Sequence, residues 1–124
     1  MKIFERYIEN QLITDLNKNK VIIIYGTRRV GKTFLIEILK NKTKKSFISL
    51  NAEDQNTRAI LEQRNEVNYK NLIGKNELVF IDEAQTIPTI GLILKLMIDT
   101  NPRITIIATG SSILDLMNQT GEPL

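Results

Sequence analysis

The sequence contains no cysteine and no histidine. Structural zinc, iron–sulfur ligation, Cys/His nucleophilic catalysis and Ser-His-Asp chemistry are therefore excluded. Long apolar runs are missing too. The longest are Val21–Tyr25 and residues 90–98, the second interrupted by Lys95. A bilayer span needs about 20 apolar residues, so no membrane association is expected. The start, Met1-Lys2-Ile3-Phe4-Glu5-Arg6, places charges where a signal peptide needs an apolar core, and the cytoplasm is the expected location. No internal repeat, low-complexity tract or Pro/Gly-rich linker divides the chain. Its 124 residues suit one domain, long enough to bury a core without disulfides or metals.

Charge says little about partners. Seventeen basic and fourteen acidic residues leave a net charge of +3. One basic run, Lys40-Asn41-Lys42-Thr43-Lys44-Lys45, could touch nucleic acid, but it carries no interleaved aromatic residues as stacking platforms. Lysines at that place also suit a solvated helix C-terminus.

Residues 3–18 place Phe4, Ile8 and Leu12 four apart and predict an amphipathic helix within residues 1–18. The β-branched run Val21–Tyr25, ending at Gly26, predicts a strand buried on both faces. From Gly31 the spacing turns helical, with Phe34, Leu35, Ile38 and Leu39 on one face. Strands are expected at 46–50, 78–81 and 103–108, and helices at 55–64 and 89–99. A last helix is expected after a cap at Ser111 or Ser112. Residues 65–75 carry no assignable pattern. Strands alternating with helices predict an α/β domain with a parallel sheet in three α/β/α layers, whose ligands bind at the carboxyl ends of the strands.

Gly26-Thr27-Arg28-Arg29-Val30-Gly31-Lys32-Thr33 fits the phosphate-loop pattern GxxxxGK[ST] between a strand and a helix. Glycines permit close wrapping, and the inward backbone N–H groups with the helix N-terminus form an anion cradle. In such a loop Lys32 places its charge against the β- and γ-phosphates, and the Thr33 hydroxyl can ligate Mg²⁺. Arg28 and Arg29 are open between contact with phosphate or a partner subunit's nucleotide and a solvated role in the local potential. Asp82 ends an apolar strand as a Walker B carboxylate does, holding the Mg²⁺ shell. Glu83 beside it suits a base for an attacking water, and Gln85 either assists that water or caps the loop. In P-loop proteins with this acidic pair, an extra strand lies between the phosphate-loop strand and the Walker B strand. That arrangement gives the order 2-3-4-1, puts Val21–Tyr25 at an edge, and makes Thr109 or Ser111 a sensor of the γ-phosphate. For Ser112 the alternative is helix capping alone.

Taken together, YGTRRVGKT, FIDEAQ and ATGSS behind an N-terminal helix resemble the AAA-type bacterial and archaeal ATPases that carry a C-terminal domain of unknown function, relatives of the STAND and AAA+ ATPases. The resemblance covers nearly the whole chain. It implies ATP binding through Gly31, Lys32 and Thr33, Mg²⁺ and water handling through Asp82 and Glu83, and a polar sensor at the turn of residues 109–111. Family members are considerably longer. Residues 1–124 are thus expected to be a P-loop ATPase core truncated at its C-terminus, with a fifth strand and a further domain beyond it. Sites of this kind often act in trans, so self-association is an expected partner mode alongside ATP. Competing readings are a small-molecule kinase, for which no arginine-rich lid is visible, and a nucleotide-dependent interaction module without turnover. A GTPase is disfavoured: Asn17-Lys18-Asn19-Lys20 and Asn41-Lys42-Thr43-Lys44 lack the aspartate of the guanine-reading motif.

Overall fold

The computed structural model describes residues 21–25 and 32–110. In chain order these form β1 (Val21–Tyr25), α1 (Lys32–Lys42), β2 (Phe47–Asn51), α2 (Gln55–Glu62), α3 (Glu66–Ile73), β3 (Leu78–Asp82), a 3₁₀ turn (Ala84–Thr86), α4 (Ile90–Thr100) and β4 (Thr105–Gly110). The four strands make one sheet in the order β1-β4-β3-β2, with every neighbouring pair parallel. Read from the other edge, this is the expected 2-3-4-1. The helices expected at 3–18 and after Ser111 or Ser112 lie outside the described residues.

The alternation of side chains along each strand sorts the core into two layers. On one face Ile22, Phe80, Leu78 and Ile107 are buried under α1, which contributes Leu39 and Ile36. On the other, Val79, Ile81, Ile106 and Ala108 meet Leu61 of α2, Tyr69 and Ile73 of α3, and Ile93, Leu94 and Met97 of α4. β3 and β4 therefore need apolar residues at successive positions, which explains the unbroken runs in their sequences. Phe47 and Phe80 meet edge to face across β2 and β3, with centroids 5.4 Å apart.

Element bounds moved where caps and turns decide them. β4 begins at Thr105 rather than at 103: the Ile104 N–H is donated to the Asn101 carbonyl in a turn, and ladder pairing starts when the Thr105 N–H reaches the Glu77 carbonyl. β4 then runs on to Gly110, opposite Tyr25. The unassigned stretch 65–75 contains α3. Its Asn65 side chain accepts the Asn68 N–H at 3.0 Å as an N-cap, and Gly74 stops it at φ 58°. Only Tyr69, Leu72 and Ile73 turn inward, while Val67 is 65% exposed, so the apolar stripe is too thin to read from periodicity.

Tyr69 fastens α3 to α2. Its ring is fully buried and its hydroxyl donates to the Leu61 carbonyl at 2.6 Å. Burial raises the pKa of this phenol and keeps it a donor. Tyr69→Phe leaves the buried carbonyl without that donor. Urea unfolding should show a loss of about 1–2 kcal/mol with an unchanged m-value; an unchanged midpoint would remove the bond from the stabilising contacts.

Among the described residues β1 is hydrogen-bonded on one side only, to β4. The edge position expected for Val21–Tyr25 is therefore found. No helix among them is long and apolar enough to cross a membrane.

Candidate functional site

The alternation that builds the core also aims the acids. Within β3, Leu78 and Phe80 face α1, and Asp82 shares their parity. Within β4, Ile107 faces α1, and Thr109 shares its parity. Asp82 and Thr109 thus emerge at adjacent strand ends on the face that carries α1. Ile36 of α1 borders the same cleft as Asp82 and Thr109. Lys32, where α1 starts, lies one helical turn earlier, about 6 Å along the axis toward the strand ends. Gly26, Thr27, Arg28, Arg29, Val30 and Gly31 lie outside the described residues, as do Ser111 and Ser112; for Lys32 and Thr33 the helical backbone is described.

Asp82 is exposed and its Oδ1 is fully engaged: it accepts the Glu83 N–H at 3.0 Å and the Thr109 hydroxyl. Thr109 Oγ1 also accepts from the Glu83 N–H at 3.4 Å. Among the described residues no donor reaches Asp82 Oδ2. One carboxylate oxygen is thus fixed by the protein, on a residue that is exposed. Mg²⁺ prefers such a sparse protein set, with one or two carboxylates and the rest from water and phosphate. The exposed Asp82 carboxylate, with one oxygen anchored, suits such a ligand. No group of three or more acidic side chains that could hold a metal by itself occurs among the described residues.

Glu83 leaves the strand pattern. Its backbone sits at φ 54°, ψ 43°, a left-handed conformation that costs a non-glycine residue about 1–3 kcal/mol. Three contacts hold it there. Its carbonyl accepts the Thr86 N–H at 3.1 Å and the Thr86 hydroxyl at 2.8 Å, and its N–H is held by Asp82. The residue is 8% exposed, and its Oε2 accepts from Gln85 Nε2 at 2.7 Å. The turn therefore folds Glu83 back from the direction Asp82 takes and fixes its carboxylate against Gln85. Sequence reading left Gln85 open and did not mark Thr86. A polar residue two and three positions after an acid is a weak signal, because only the turn brings it round.

Under the cleft, Lys40 is drawn out of the basic run. Its ammonium donates to Ser49 Oγ at 2.9 Å, lies 3.7 Å from Glu37 Oε1 and sits 5.4 Å from the Phe80 ring centroid. Its side chain is 18% exposed, so this lysine supports the sheet face where the sequence suggested a solvated helix end.

Residues 18–124 match a family model described as an AAA domain. An uncharacterized protein of Methanocaldococcus jannaschii is 35% identical over 116 residues, covering 91% of this chain and 25% of that protein. Among solved structures, a replication initiator DnaA bound to AMPPCP and single-stranded DNA superposes with a TM-score of 0.63 at 20% identity, over 86% of this chain and 37% of that one. A structure described as the basis for katanin self-assembly gives 0.64 at 14% identity, over 92% and 47%. The chain thus spans a quarter of the curated relative and less than half of these structures.

Proposed function

The chain belongs to the AAA domain family, and from that premise we propose that it binds Mg·ATP at the carboxyl ends of β1, β3 and β4 and hydrolyses it. The observation that supports this most is the pairing at the end of β3. Asp82 is turned outward with one oxygen anchored, and Glu83 is turned back with its carboxylate held at a fixed place. In this reading the loop from Gly26 to Gly31 cradles the phosphates, with Lys32 charged against them and Thr27, Arg28, Arg29 and Val30 supplying its span. Thr33 and Asp82 hold Mg²⁺, which when bound offsets charge on the β- and γ-phosphates.

Glu83 is the base. A water oxygen bonds to the γ-phosphorus, the bond from that phosphorus to the bridging oxygen breaks with its electron pair leaving on ADP, and the water's proton passes to the Glu83 carboxylate. In the same reading Thr109 takes the sensor role through Asp82, and the hydrogen bond from its hydroxyl to that carboxylate supports this. Self-association belongs to the proposal as well: one structural neighbour is a self-assembling katanin, and sites of this class are often completed by an adjacent copy.

Lys32→Ala tests the site. Losing a charged hydrogen bond to phosphate should weaken ATP binding by roughly 10- to 100-fold and remove phosphate release. Undiminished binding by a folded Lys32→Ala variant would move the nucleotide elsewhere.

A further inference from the structure

We infer that Gln85 is the positioning residue for the base, resting on the reading of Glu83 as the group that takes the water's proton. A base is effective only when its carboxylate is held within hydrogen-bond reach of the water in one orientation. A free glutamate side chain has three rotatable bonds and loses substantial entropy when it is fixed. At this site the fixing has two parts. The backbone of Glu83 is locked left-handed by the carbonyl contacts to Thr86. The far end of the side chain is locked by Gln85, whose Nε2 donates to Glu83 Oε2 at 2.7 Å.

The 3₁₀ turn makes this contact available. Ala84 is buried against β4, Ile87 closes the turn by donating to the Ala84 carbonyl, and Gln85 between them returns its amide toward the residue two before it. Gln85 is half-buried, so the bond is shielded from competing water. The donor is a neutral amide, which can fix an anionic oxygen without adding a second charge to the acidic pair. A lysine here would neutralise the base, and a glutamate would repel it. Gln85 touches no nucleotide in this account; it acts through Glu83.

The test is a double-mutant cycle on the full-length protein, read by single-turnover phosphate release and by ATP affinity. Gln85→Met keeps the length of the side chain and deletes the donor. The rate should fall about tenfold, the equivalent of one hydrogen bond to a charged group, with ATP affinity unchanged. On a Glu83→Gln background the same substitution should cost nothing further, since the carboxylate that it orients is gone. Gln85→Glu keeps shape and volume and should be slower than Gln85→Met. A wild-type rate in Gln85→Met overturns the inference. So does an equal loss on both backgrounds, which would make Gln85 a structural member of the turn. If the wild-type protein shows no hydrolysis that depends on Glu83, the reading of Glu83 itself falls and the positioning role falls with it.

Discussion

Glu83→Gln should lower phosphate release by about 100- to 10,000-fold, the usual worth of a positioned general base, and leave ATP binding intact. The substitution is nearly isosteric, and the backbone contacts that hold residue 83 left-handed come from its own N–H and carbonyl, which the variant keeps. The Asp82 carboxylate also keeps its Glu83 N–H and Thr109 partners. What changes is the capacity to take a proton. An effect on turnover without an effect on affinity is the signature of an interaction made only on the way to the transition state. A variant with wild-type turnover would remove Glu83 as the base and leave the acidic turn a structural feature. A variant that also lost ATP binding would show that the turn had rearranged, and the comparison would then pass to Glu83→Asp, which keeps the charge but shortens its reach.

The second large effect is expected at Asp82. Asp82→Ala removes the one carboxylate that the fold turns out of the strand end with an oxygen already anchored by Thr109 and the Glu83 N–H. Mutating groups that only support a metal ligand costs metal sites roughly 10- to 100-fold in affinity, and deleting the ligand should cost at least as much. Titrating ATP with and without Mg²⁺ separates this from simple misfolding. Wild type should bind more tightly with the metal, and Asp82→Ala should lose most of that gain. A variant that keeps the whole gain would assign the ion to other ligands. Alanine also strips Thr109 Oγ1 of its acceptor, so a modest loss of stability, of order 1 kcal/mol, is expected alongside.

How far the site was legible in the sequence depends on the physics behind each part. The sheet was legible because β3 and β4 lie between helices on both faces, and burial on two sides writes itself as uninterrupted apolar runs. The positions of Asp82 and Thr109 followed, since each is the first polar residue at a strand end. The side they face also follows from alternation, once Phe80 and Ile107 are known to lie under α1. α3 was illegible for the opposite reason: a short helix with three inward residues and an exposed Val67 leaves little period to detect, and its boundaries are written by Asn65 and Gly74. The start of β4 was misplaced because the turn at Asn101 consumes two residues that read as strand. Lys40 shows the limit of reading charge runs, because one of several lysines is drawn onto the sheet by Ser49 and Phe80 while its composition alone is that of a solvated helix end. The Gln85 contact depends on a left-handed residue at Glu83, and nothing in a glutamate's identity announces that conformation.

The central claim is that the strand ends form a Mg·ATP site, and calorimetric titration of the wild-type protein with Mg·ATP tests it most directly. The account predicts saturable binding at one site per chain, weakened when the metal is chelated and not reproduced by Mg·GTP. A folded protein that shows no binding heat, released or absorbed, with Mg·ATP, at concentrations well above those at which P-loop proteins saturate, would contradict it.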